Sequence, residues 1–175
     1  MRRPIIVGNW KMHKTTAEAV ALVKALKASM ASIQDLDIGV APPFTALVAV
    51  AEALRGSAIF VAAQNMHWEA QGAFTGEISA AMLIDVGCTR VIIGHSERRQ
   101  YFAETDTTVN RKLKAALNVQ LDPILCIGET LDHREGNATF EVLEQQLRQG
   151  LADIPATGMQ RLVLAYEPIW AIGTG

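Results

Sequence analysis

Six short runs of apolar, largely β-branched residues recur along the chain, separated by longer stretches with helical periodicity. They are Ile5-Ile6-Val7, Ile38-Gly39-Val40-Ala41, Ile59-Phe60-Val61-Ala62, Val91-Ile92-Ile93, Ile124-Leu125-Cys126-Ile127 and Leu162-Val163-Leu164-Ala165. Their hydrophobicity is continuous rather than alternating, which predicts strands buried on both faces, as in a parallel sheet. The stretches between them read as amphipathic helices. Thr15 and Glu18 have capping-box spacing ahead of Ala19, Leu22, Val23, Leu26, Met30 and Ile33, with Lys24 and Lys27 on the opposite face. A second helix follows Pro43 through Leu47, Val50 and Leu54 to a stop at Gly56, and a shorter one spans Ser79 to Val86. Thr105 caps another that carries Val109, Leu113, Ala116 and Leu117; a further one runs through Phe140, Leu143, Leu147 and Leu151. Strands alternating with helices at roughly 20 to 40 residues are the size of βαβ units, with right-handed crossovers. Six strands and five crossover helices fit either an open doubly wound sheet or a barrel, and periodicity does not choose between them.

The 175 residues suffice for one domain with a real core, and no linker or low-complexity tract divides them. Hydrophobic residues make up 50% and charged residues 19%, which excludes intrinsic disorder. Sixteen basic residues against eighteen acidic leave a net charge of -2, so no global basic field attracts nucleic acid. Cys88 and Cys126 are far apart, without the spacing of a disulfide framework or a zinc site. No apolar stretch approaches the roughly 18 residues of a membrane span, and the run after Arg2 and Arg3 is too short for a secretory signal. A cytoplasmic protein without a membrane partner is the expectation.

Polar residues cluster where the strands end. Asn9 and Lys11 follow the first, Gly94-His95-Ser96-Glu97-Arg98-Arg99 the fourth, and Glu167 closes the sixth ahead of Gly173-Thr174-Gly175. In parallel α/β folds that is where sites form. His95 opens a helical turn, whose positive end disfavours imidazolium, so a neutral ring can donate to a carbonyl oxygen; a structural bond to backbone is the competing reading. Glu167 suits a general base, its pKa raised by partial desolvation, or else pairs with Lys11 or Arg98. Asn9 and Lys11, if extended, point the same way, the lysine placed to neutralise an enolate oxygen or a phosphate; an exposed or ion-paired lysine is the ordinary alternative. The glycine-rich end can offer N–H groups to phosphate. His13, His67 and His133 lack metal-ligand spacing and read as surface or loop residues, so no metal is expected. Glu97, Arg98 and Arg99 suggest bracing ion pairs. Gln64 to Glu77 is a long connection carrying Met66, Trp68 and Phe74, and ordered loops of that length are usually functional.

Taken in order, these segments resemble the triosephosphate isomerase family over the whole chain. The matching stretches are Gly8-Asn9-Trp10-Lys11-Met12, Ala41-Pro42-Pro43-Phe44, Ala63-Gln64-Asn65, Gly72-Ala73-Phe74-Thr75-Gly76-Glu77, Ile93-Gly94-His95-Ser96-Glu97-Arg98-Arg99, Cys126-Ile127-Gly128-Glu129 and Ala165 to Gly175. The resemblance implies an α/β fold, the TIM (β/α)8 barrel, with about six of eight βα units in residues 1–175, a single barrel domain incomplete at its C-terminus. A complete barrel has about 250 residues. Stopping inside the lid leaves strands one and six with unpaired edges, and a tendency to aggregate is expected. The resemblance also implies interconversion of dihydroxyacetone phosphate and glyceraldehyde 3-phosphate without a cofactor. Glu167 matches the base, His95 the electrophile, Lys11 and Asn9 substrate-binding residues, and Gly173 a lid amide that grips phosphate, with Ser96 and Glu97 in support. Thr75 and Phe74 lie on the segment that enters a neighbouring subunit in a homodimer. The competing expectation is a catalytically incompetent fragment that serves as a folding or complementation piece.

Overall fold

The apolar runs become strands in the computed structural model, which describes residues 3–173. These are β1 (Ile5–Asn9), β2 (Asp37–Ala41), β3 (Phe60–Ala63), β4 (Arg90–Ile93), β5 (Asp122–Glu129) and β6 (Val163–Pro168). Between them lie α1 (Thr16–Ser29), α2 (Leu47–Ala53), α3 (Ala80–Asp85), α4 (Ser96–Tyr101), α5 (Asp106–Asn118), α6 (Leu131–Glu135), α7 (Thr139–Gly150) and α8 (Ala156–Arg161), with 3₁₀ turns at Phe44–Ala46 and Ile169–Ala171. That is more helices than the periodicity predicts. Of the additions, α4 is the helical turn expected at His95; α6 and α8, of five and six residues, make fewer than two turns, too few for a clear amphipathic period.

The chain divides into two compact units, Met1–Val91 and Ile92–Gly175. In the first, β1 pairs in parallel with β2 from Ile5↔Asp37 to Asn9↔Ala41. Strand β2 pairs with β3 at Gly39↔Phe60 and Val40↔Val61, and β3 with β4 at Ala62↔Arg90 and Ala63↔Val91, also in parallel. The capping box at α1 forms as its spacing predicts: Thr15 accepts from the Glu18 N–H while the Glu18 carboxylate accepts from the Thr15 N–H at 2.8 Å. The helix buries Ala19 and Val23. Lys27 departs from its expected place on the solvent face. Its stem is half-buried and its ammonium donates to the carbonyls of Arg55 at 2.6 Å and Ala53 at 3.4 Å, capping the negative end of α2.

In the second unit β5 and β6 pair in parallel from Ile124↔Val163 to Glu129↔Pro168. Helix α5, capped by Thr105, turns Val109, Leu113 and Ala116 inward as the periodicity requires, and all three are fully buried. Burial of Leu113 and of Leu125 on β5 stabilises the fold by about 2 kcal/mol apiece. Phe140 does not join the inner face of α7; it is 86% exposed at the helix start, where Leu143 and Leu147 are half-buried.

Burial on both faces holds for β3, β4 and β5 beyond their first residues. It fails for β1 and β6. There inner and outer positions alternate, leaving Ile6 63%, Leu164 47% and Tyr166 48% exposed.

Candidate active site

Strand β4 ends in a sharp turn at Gly94, which has φ +78. A Cβ there would meet the Cys126 carbonyl oxygen at 3.1 Å and Val109 Cγ2 at 3.2 Å, so the turn demands glycine twice over. The turn delivers His95 to the N-cap of α4. His95 Nδ1 accepts the Glu97 N–H at 3.2 Å, and Glu97 Oε2 lies 3.5 Å from the same nitrogen. With the Nδ1 lone pair engaged, the ring proton belongs on Nε2, which points at Glu167 Oε1 at 3.0 Å. The other carboxylate oxygen, Oε2, accepts the Ser96 N–H at 3.0 Å. His95 as a residue is 7% exposed.

Burial alone pushes the Glu167 carboxyl pKa up. The hydrogen bond and electrostatic attraction of His95, with the Ser96 N–H, outweigh that and hold it below the ordinary carboxylate value. This reverses the direction expected from desolvation, because the partners that favour the charged form come from distant parts of the chain. The Glu167 oxygens meet His95 and Ser96, and Arg98 pairs with Glu104.

The bracing ion pairs form. Arg98 Nε lies 3.1 Å from Glu104 Oε2, and Arg99 Nη1 lies 2.6 Å from Asp106 Oδ1. Arg99 Nε also donates to the Gly94 carbonyl at 2.8 Å. Glu104 is 7% exposed and takes Lys112 Nζ at 2.7 Å as well. Both arginines thus tie the short helix that carries His95 to the N-terminal region of α5.

Glu129, at the end of β5, had no role assigned from sequence. It is fully buried and accepts from Tyr166 Oη at 2.9 Å and Trp170 Nε1 at 3.0 Å, with Arg134 Nη1 at 3.8 Å. Desolvation pushes its pKa up, but the Trp170 and Tyr166 hydrogen bonds, its own backbone and Arg134 together hold it down. The signal in the sequence was a carboxylate closing a continuous apolar run.

In the first unit Asn9 and Lys11 do come together, though not in extended backbone. Lys11 has φ +51, and its N–H donates to Asn9 Oδ1 at 3.0 Å. Gln64, another residue without a predicted role, donates from Nε2 to the Lys11 carbonyl at 2.9 Å and the Ala41 carbonyl at 2.8 Å. In the Gln64 to Glu77 loop, His67 is 8% exposed rather than a surface residue. Its ring stacks on Trp68 at 4.1 Å and lies 4.5 Å from the tilted ring of Phe74. Phe74 is still 44% exposed, and Thr75 is exposed beside it. Gly173 is exposed with φ +78; Thr174 and Gly175 lie outside the described residues. Among the described residues no cluster of three or more His, Cys, Asp or Glu is arranged to hold a metal, and no helix is long and apolar enough to cross a membrane.

A carboxylate and an imidazole N–H in direct contact can take a proton from one atom while polarising another. Comparison with known proteins gives this pair a setting. A family model described as triosephosphate isomerase matches residues 4–175. The triosephosphate isomerase of Syntrophotalea carbinolica is 59% identical over the whole chain, which spans 69% of that protein. That of Trichlorobacter lovleyi is 56% identical over the whole chain, which spans 70% of it. The crystal structure of triosephosphate isomerase from Bartonella henselae superposes with a TM-score of 0.90 at 38% identity, covering 97% of this chain and 69% of that one. The shared fold is α/β of the barrel type, with six strands and α-helices after the first five among the described residues.

Proposed function

Because the chain belongs to the triosephosphate isomerase family, we propose that it interconverts dihydroxyacetone phosphate and D-glyceraldehyde 3-phosphate by proton transfer through an enediolate. The observation that carries this reading is the contact of Glu167 Oε1 with His95 Nε2 at 3.0 Å, with the imidazole proton assigned to Nε2.

Glu167 takes the proton from the carbon beside the carbonyl. The C–H electron pair becomes the C=C bond of the enediolate, and the carbonyl π pair moves onto its oxygen. His95 Nε2–H polarises that oxygen. Return of the proton from Glu167 to the neighbouring carbon, with exchange of the hydroxyl proton between the two oxygens, completes the isomerisation. Both Glu167 oxygens are engaged in the structure, so substrate displaces the Ser96 and His95 contacts before the carboxylate reaches carbon. The low pKa keeps Glu167 ionised and ready as a base at neutral pH. Lys11 and Asn9 bind the substrate oxygens, and Lys11 offsets the charge that develops on the enediolate. The Gly173 amide belongs to a lid that holds phosphate and excludes water, which matters because an exposed enediolate expels phosphate. No cofactor enters the reaction.

The partner in this reading is a second copy of the chain, with Thr75 and Phe74 on the loop that enters the neighbouring subunit, and the setting is the cytoplasm. An isomerase assay on the purified chain beside Glu167→Gln is the test. Turnover abolished in the variant supports the reading, and wild-type turnover no higher than that of the variant overturns it.

A further inference from the structure

Glu167 stands on β6 directly opposite Gly128 on β5. The approach is close: a Cβ built on Gly128 would lie 2.0 Å from the Glu167 carbonyl oxygen and 3.3 Å from Glu167 Cβ. The backbone of β5 at Gly128 is therefore the surface against which the backbone of Glu167 rests. Any shift of that surface moves the root of the Glu167 side chain.

What holds Gly128 is a side chain. Strand β4 ends at Ile93, while β5 continues to Glu129. The Gly128 N–H donates to Gln146 Oε1 at 2.9 Å, and Gln146 Nε2 donates to the Gly128 carbonyl at 2.9 Å. One primary amide thus makes the pair of bonds that a neighbouring strand makes to a residue in a ladder. Gln146 is half-buried on α7, a helix of twelve residues, so the clamp is anchored on a rigid element rather than a loop.

We propose that Gln146 is a positioning residue for Glu167, fixing through the backbone of Gly128 the place from which the carboxylate meets His95. The proposal rests on Glu167 being the base. Its logic is geometric: Glu167 leaves its resting contacts with His95 and Ser96 by swinging about a backbone root that rests on Gly128, and misplacement of a reacting group by about 1 Å costs on the order of 100-fold in rate. A glutamine on a helix is ordinarily a solvated surface residue, and the sequence held no hint of this task.

The test compares the full chain with Gln146→Leu, which removes both bonds at similar volume, and Gln146→Glu, which keeps the acceptor for the Gly128 N–H but loses the donor to its carbonyl. Folding is verified by amide NMR spectra, and Gln146→Glu carries the test if Gln146→Leu does not fold. The expected kinetic result is a kcat reduced about 10- to 100-fold with KM within about threefold. An activity-independent reading comes from the Ser96 amide, whose N–H donates to Glu167 Oε2 at 3.0 Å. Moving the carboxylate away weakens that bond and shifts the Ser96 amide proton upfield in the ¹⁵N–¹H spectrum. A folded variant with unchanged kcat and an unchanged Ser96 amide shift overturns the proposal. An inactive wild-type chain whose Ser96 amide still moves in the variant supports the positioning role and overturns only the assignment of activity.

Discussion

Two strand ends in this molecule turn through positive φ, one with a lysine and one with a glycine. After β4, Gly94 takes φ +78 where a Cβ would press on Cys126 and Val109. The turn is a matter of packing, and the residue with no side chain fills it at little conformational cost. After β1, Lys11 takes φ +51 although a glycine would do so more easily. A non-glycine residue in that region costs roughly 1 kcal/mol or more. The backbone is held there by Asn9 beneath the Lys11 N–H and by Gln64 on its carbonyl. Glycine stands where only the path of the chain matters; the lysine is held in a strained backbone at a place where the proposed function gives its ammonium a task.

Replacing the ammonium tests that distinction most strongly. Lys11→Met keeps the length of the side chain and removes its charge, and kcat/KM is expected to fall by about 100- to 1,000-fold with the urea midpoint nearly unchanged. An intact rate in this variant would reduce the strain at Lys11 to an accident of the turn. Gly94→Ala should act oppositely, losing about 2 kcal/mol of stability from the positive φ and the crowding at Cys126, read as a lower urea midpoint. Lys11→Gly sharpens the contrast further. It relieves the strain and is expected to gain about 1 kcal/mol of stability while losing activity as Lys11→Met does. A Lys11→Gly chain no more stable than wild type would place the strain elsewhere.

The smallest effect concerns the carboxylate opposite His95. The folded pKa of Glu167 lies below its ordinary value, so the folded state binds this proton less readily than the unfolded chain. The resulting stabilisation is complete above the unfolded carboxylate pKa, about 4.3. It disappears as pH falls through the lower folded value. The stability difference between wild type and Glu167→Gln is therefore expected to shrink on acidification below that range. Urea midpoints measured through the acid range check the sign; a difference that widens there contradicts it.

Much of this was legible because continuous apolar runs announce buried parallel strands, and capping residues such as Thr15 and Thr105 announce where helices begin. The convergence of His95 and Glu167 was legible from their places at strand ends and from the family resemblance. What escaped was set by tertiary partners. Helices α6 and α8 are too short to carry a clear period. Lys27 has the charge of a surface residue and the work of a helix cap. Gln64 and Gln146 each satisfy two backbone groups on segments far away in sequence, and nothing in a glutamine's neighbours advertises that. The pKa direction of Glu167 escapes the sequence for the same reason: desolvation is visible in principle, but the His95 and Ser96 groups that outweigh it are not.

The two cysteines turn out to be natural clocks for local opening. Each compact unit holds one, Cys88 in the first and Cys126 in the second, and both are buried. Burial pushes the Cys88 thiol up to about 12. Cys126 is raised further, by burial first and by the nearby Glu167 charge. At neutral pH neither presents appreciable thiolate, the species that alkylating reagents attack. Labelling must then await exposure of the surrounding structure to water, so the rate at each thiol reports how often its own unit opens, and mass spectrometry can follow the two without any engineered probe.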